Sequence, residues 1–135
     1  MKEAIKESAS KLFFETFNED SISVEKLPIS GSSRTYIRLI GDKYKAVATY
    51  NTDLRENKAF FYLSNHFKSQ AINVPYVYSV HKDQQLYLQE DLGDLTLYDH
   101  LLSLKTDQSF PDELIEIYKK VLDRLIIIQT GGHKG

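Results

Sequence analysis

The sequence predicts an α+β fold: a five-stranded antiparallel sheet with one helix inserted between its third and fourth strands and further helices at both ends. Three observations carry this expectation. Residues 2–17 repeat apolar side chains at helical spacing, and residues 22–50 then switch to short runs rich in β-formers, broken by a Gly/Ser loop and a Gly-Asp turn. From residue 53 the helical period returns, and two more short strand-like runs follow it. That order of elements is uncommon enough to be informative about architecture.

Each element has its own signal. Ala4, Ile5, Ala9, Leu12, Phe13 and Phe17 fall on one helical stripe, and Asn18 to Asp20 end it. Ile22, Val24, Leu27 and Ile29 give a first strand, "ISGSSR" a loop, and Tyr36, Ile37, Leu39 and Ile40 a second strand. After the Gly41-Asp42 turn, "YKAVATY" is the third strand of a meander. In "DLRENKAFFYLSNHFKSQ", Leu54, Ala59 or Phe60, Leu63 and Phe67 share a helix face, with Asp53 as N-cap and Glu56 at the capping-box position. Val74-Pro75 begins a fourth strand, "YVYSV", since proline is tolerated where no ladder donor is needed. His81 to Gln84 turn the chain into a fifth, "QLYLQ". A short helix at 97–104, a polar loop "KTDQSFPDE" and a long helix from Pro111-Asp112-Glu113 to about Gln129 complete the chain. The expected organisation is an N-terminal helix (1–20), a sheet-bearing lobe (21–92), and a linker with two helices (93–135).

Composition excludes several function classes. With 17 Lys+Arg against 19 Asp+Glu in 135 residues and a net charge of −2, the chain lacks the basic field that a phosphate backbone demands, so nucleic acid is not expected as a partner. The absence of cysteine removes disulfides, thiolate-bound zinc and thiol nucleophiles together. No run approaches the ~20 apolar residues of a membrane span, and the amphipathic "MKEAIKESASKLFFETF" has no signal-peptide core. A soluble cytoplasmic protein with no membrane partner is the expectation.

The stretch "YLQEDLGDLTLYDHLL" raises the functional question. A strand ends in Gln89-Glu90-Asp91, then Leu92-Gly93, just before a helix. This is either a strand exit followed by an N-cap, Asp94 or Thr96, or a segment that opens its backbone to a ligand.

Taken together, four strings carry a resemblance. "LPISGSSRTYIRL" resembles the nucleotide-loop hairpin of the aminoglycoside phosphotransferase family, above all its sugar-kinase branch with an S-x-R-x-Y-x-R-L second strand. "ENKAFFYL" with "NVPYVYSV" is similar to that family's inserted helix and following strand, and "YLQEDLGDLTLYDHL" to its hinge. The likeness runs from about residue 20 onward and rests on order and spacing. It implies the N-terminal lobe of a protein-kinase-like fold, followed by the first helices of a truncated C-lobe. The activity implied is transfer of the ATP γ-phosphate to the hydroxyl of a small molecule, with an amino-sugar or cell-wall sugar as acceptor. By position, Gln89 becomes the gatekeeper, the Glu90 carbonyl and the Leu92 N–H the adenine contacts with Asp91 between them, and Gly93 the turn toward the second lobe. Val47 faces adenine. Ser30, Gly31, Ser32 and Ser33 bring backbone N–H groups and hydroxyls to phosphate, with Arg34 beside them. Arg34 and Arg38 otherwise read as solvated strand residues.

The chain also departs from the family pattern. Kinase-like folds pair a helix carboxylate with a third-strand lysine that holds the α and β phosphates. Glu56 is either that carboxylate or only a capping-box residue, and Thr49 stands where the lysine belongs. Lys45 lies on the same strand face but ~13 Å back at ~3.3 Å per residue. His81-Lys82-Asp83 matches the family's H-x-D string, yet sits in a turn between strands and reads as a solvated hairpin. His66, His100 and His133 have no partner at metal-ligand spacing. No catalytic aspartate, downstream asparagine or metal aspartate follows the long helix, so this chain is expected to be inactive by itself, Mg2+ being held by a missing C-lobe. Leu114, Tyr118, Val121, Leu122 and Leu125 line one face of that helix. Ile115, Ile126, Ile127 and Ile128 make it apolar nearly all round, which implies burial on several sides, by a larger lobe or by a second copy in a homodimer. The competing readings are a non-catalytic, pseudokinase-like nucleotide sensor, a dimerising interaction module, and an α+β domain unrelated to kinases.

Overall fold

The computed structural model describes residues 2–29, 31–105 and 111–133. Among them it has four helices, α1 (Lys2–Phe17), α2 (Leu54–Ser69), α3 (Leu97–Leu104) and α4 (Asp112–Gly131). Five strands, β1 (Ser23–Lys26), β2 (Thr35–Ile40), β3 (Lys45–Tyr50), β4 (Val77–Val80) and β5 (Leu86–Gln89), form one antiparallel sheet. The fold is α+β, with α2 inserted between the third and fourth strands. None of the described helices is long and apolar enough to cross a membrane.

The chain divides into two compact units, Met1–Asn65 with Val74–Leu92, and His66–Asn73 with Gly93–Gly135. In the first, β1 to β3 make the expected meander, but the spatial order is β1-β2-β3-β5-β4. The α2 crossover delivers β4 to the edge, and β5 returns to fill the place beside β3. Pro75 precedes β4 rather than lying in it, consistent with its missing donor.

Side chains alternate across a strand, so the registers sort the sheet into two faces. Ile37, Ala48 and Leu88 stand abreast on one of them, with Leu39 beside Ala46. These residues and Leu86 pack with Ala9, Leu12 and Phe13 of α1 into the core, which Ile5, Phe17, Val24 and Tyr50 border. Of the helical stripe read from the sequence, Ala9, Leu12 and Phe13 are buried, Ile5 and Phe17 half-buried, and Ala4 exposed.

For α2 the expected apolar face is wrong. Leu54 and Leu63 are 39% and 45% exposed, whereas Asn57 and Ser64 are buried and Phe60 and Phe61 half-buried. The reason is a pair of hydrogen bonds: the Asn57 amide donates to the backbone carbonyls of Asn51 and Gln84, both at 2.8 Å, and so anchors that side of the helix. A buried amide that satisfies two carbonyls can outcompete a leucine for the inward position. Asp53 caps the helix as expected, its Oδ1 accepting from the N–H groups of Arg55 and Glu56 at 3.0 Å.

In the second unit, Thr96 rather than Asp94 is the N-cap of α3, its hydroxyl accepting from the Asp99 N–H. Lys105 ends that helix and Pro111 caps α4, while the rest of the expected polar loop, 106–110, lies outside the described residues. Residues 66–73, expected with the sheet, belong here: His66 Nε2 meets the Gly132 carbonyl at 2.7 Å, and a Cβ at Gly132 would strike Phe67 at 2.9 Å. Among the described residues Leu125 to Ile128, the end of α4 for which cover by a larger lobe or a second copy is expected, are all at least 39% exposed.

Candidate functional site

The sheet face opposite α1 is chemically different. Tyr36, Thr49 and Tyr87 stand abreast across β2, β3 and β5, and the next row is Arg38, Val47 and Gln89. Helix α2 leans on the first row, with the Phe60 and Phe61 rings 5.4 and 5.0 Å from that of Tyr87. Burial pushes the Tyr87 hydroxyl up to about 12, against the opposing pull of the Arg34 charge. Thr49 is fully buried beside it, and its Oγ1 has no partner of ordinary hydrogen-bond geometry, so its approach to Tyr87 is a loose contact.

Arg34, just before β2, turns its guanidinium onto this face. Its terminal nitrogen lies 2.9 Å from Glu56 Oε1, and its guanidinium carbon lies 5.9 Å from the centroid of the Phe60 ring. Burial works against the charge, but the Tyr36 hydroxyl, Tyr87 and Glu56 outweigh it and raise the Arg34 pKa. Glu56 is not closing a capping box. Its other oxygen accepts from the Asn51 amide at 2.7 Å, and that amide also reaches Asn57 Oδ1 at 3.2 Å. Nor is Arg34 a solvated strand residue, its side chain being 19% exposed.

Arg38 corrects the sequence reading in the same way. Its Nε and a terminal nitrogen meet the two carboxylate oxygens of Asp91 at 2.7 and 3.0 Å, a fork-to-fork pair with Asp91 only 3% exposed. Glu90 is also held. Its N–H donates to the Tyr76 carbonyl at 2.7 Å, and its carboxylate accepts from the Tyr76 N–H at 3.1 Å. Both acidic side chains of the knot at 89–92 are therefore tied back to the sheet. Among the described residues, no hydrogen bond engages the Glu90 carbonyl or the Leu92 N–H. Gly93 follows at φ +84°, a conformation that a side chain would strain.

The loop is placed in part. Ser30 lies outside the described residues. Gly31 has φ +55° with open space where a Cβ would point, Ser33 is exposed, and Ser32 uses its hydroxyl to accept from the Arg34 N–H at 3.2 Å. The structure thus gathers Arg34, Glu56, Val47 and Gln89 on one sheet face, with Asp91 held against it by Arg38. His81 and Asp83 sit in the β4–β5 turn, their side chains 2.9 Å apart. Among the described residues no group of three His, Cys, Asp or Glu could hold a metal ion. Clefts lie elsewhere, among them one of about 310 Å3 between α1 and the β4–β5 turn and an apolar one of about 410 Å3 along α3 and α4.

Sequence reasoning missed the Arg38–Asp91 pair and the Asn51–Asn57–Glu56 network. The first joins residues 53 apart, and no local spacing announces it. The second had a weak signal, an asparagine two residues before an N-cap aspartate. No known protein family, curated protein or solved structure matches the chain.

Proposed function

We propose that the first unit is the nucleotide-binding lobe of an ATP-dependent small-molecule phosphotransferase of kinase-like fold. The observation that carries this reading is the state of residues 89–92. Their acidic side chains are fixed by Arg38 and Tyr76, while among the described residues no hydrogen bond engages the Glu90 carbonyl or the Leu92 N–H, which follow Gln89, the strand residue paired with Val47. An acceptor and a donor two residues apart on one segment just past the end of β5 match the amino group and ring nitrogen of adenine. An ordinary strand exit has no need to lock its side chains away from its backbone. The strand order β1-β2-β3-β5-β4 with one inserted helix supports the same architecture.

Nucleotide binding is the part of the activity that this chain's own residues address. The resemblance favours an amino-sugar or cell-wall sugar as phosphate acceptor. The second reading, a nucleotide sensor without transfer, draws on Thr49 in place of the lysine; it requires the same adenine contacts.

Titration of the chain with Mg-ATP and with adenosine, followed by amide NMR, tests the reading. Shifts concentrated at 31–34, 47 and 89–93 with both ligands are expected. No shift at 89–93 with either ligand would remove the adenine assignment.

A further inference from the structure

We propose that Arg34 supplies the phosphate-binding cation that the third strand lacks, with Glu56 as its positioning carboxylate. This rests on the reading of the first unit as a nucleotide lobe and deepens it.

Thr49 occupies the lysine position, but it is fully buried between Tyr36 and Tyr87, and a long cationic side chain there would have to displace one of the two phenols. Arg34 reaches the same row from the strand beside it. Its guanidinium meets Glu56 of α2 at 2.9 Å, which reproduces a cation–carboxylate pair between sheet and helix with the cation moved from β3 to the start of β2.

Two observations point to an anionic ligand. Arg34 Nε is buried and has no hydrogen-bond partner, while Glu56 engages only a terminal nitrogen of the same group. A guanidinium donor left unmatched in this way is costly, and a phosphate oxygen would satisfy it with a charge-assisted bond. The spacing also fits. Arg38, which fixes the adenine segment through Asp91, lies four residues further along β2, ~13 Å from Arg34 at ~3.3 Å per residue. A nucleoside triphosphate spans a comparable distance from its base edge to its phosphate chain. The Gly31-Ser32-Ser33 loop enters at the Arg34 end, where Gly31 leaves open space. The charged and titratable groups facing Arg34 are Glu56, Tyr36 and Tyr87, so the cation is paired but not surrounded by acid.

Calorimetric or NMR affinities of the 135-residue chain for ATP and for adenosine separate this inference from the reading beneath it. Wild type is expected to bind ATP more tightly than adenosine. Arg34→Ala should cut ATP affinity by ~10-fold to ~100-fold, to the adenosine level, and leave adenosine unchanged. Retention of the ATP preference by R34A, or no preference in wild type, overturns the role of Arg34 while the adenine site stands. Failure of wild type to bind either ligand overturns both. Should R34A not fold, the side-chain Nε–H resonance of Arg34 in wild type decides. It should shift with ATP and with inorganic tripolyphosphate but not with adenosine, and an unmoved resonance overturns the proposal.

Discussion

The two faces of the sheet are built from the same strands and hold together by different means. Against α1, the side chains of Ile37, Leu39, Ala46, Ala48 and Leu88 meet Ala9, Leu12 and Phe13, all buried and none of them polar. On the other face Val47, Thr49 and Tyr87 are buried, the Arg38–Asp91 ion pair is largely so, and Arg34 is paired with a half-exposed Glu56, the whole roofed in part by Phe60 and Phe61. The first face gains by excluding water and asks little of geometry. The second is stable only while each charge keeps its partner, because an unpaired buried charge costs more than the pair contributes. A protein that needed only a core would have had no reason to build the second face this way.

The comparison can be broken first on the apolar side. Phe13→Ala removes a fully buried ring from the α1 face and should lower stability by about 3–5 kcal/mol in urea denaturation. A loss under about 1 kcal/mol would mean that α1 is not the main support of the sheet. On the polar side, Arg38→Ala strands the Asp91 carboxylate and should cost about 3 kcal/mol, with loss of the adenosine-induced shifts at 89–93. The double replacement Arg38→Met with Asp91→Leu should regain most of that stability but not the shifts. If R38A were as stable as wild type, the pair would be wet and the contrast between faces false.

The Tyr87 hydroxyl sharpens the contrast by pH. With its folded value pushed up to about 12 from an unfolded value near 10, the folded state retains the proton that the unfolded state gives up. The stabilisation is therefore intact below pH ~10 and is lost as pH rises toward ~12, on the order of 2–3 kcal/mol in all. Urea melts of Tyr87→Phe across that window should show a flatter profile than wild type. A remaining slope is expected from Tyr78, raised in the same direction by partial burial and by Glu90 and Asp91. The smallest effect belongs to the α2 cap: Asp53→Ala should cost ~1 kcal/mol by thermal melt, and Glu56→Ala should not mimic it by fraying the helix start, since Glu56 enters that cap only through its backbone N–H, which alanine keeps.

Local pattern made the elements legible. α1 and α3 are as read, α4 runs two residues past its expected end, and all five strands fall within the runs of β-formers assigned to them. The site was legible only in outline. Arg34, Glu56, Gln89 and Asp91 were singled out as residues, but Glu56 was left between two roles and Arg38 was taken for a solvated side chain. The inward face of α2 is not legible from apolar periodicity, because Asn57 is held inward by the carbonyls of Asn51, six residues before it, and of Gln84, 27 residues after it.

By itself the sequence determined where the chain is helical, where it is extended and where it turns, because those choices depend on side chains within a few residues of one another. Only the tertiary structure decided that β5 lies between β3 and β4, that Arg38 closes on Asp91, and that Arg34 rather than a β3 residue meets Glu56. The β3–β5 pairing and the two ion pairs each join groups 22 or more residues apart, and whether such a pair forms depends on sheet register and on burial, which no local window contains.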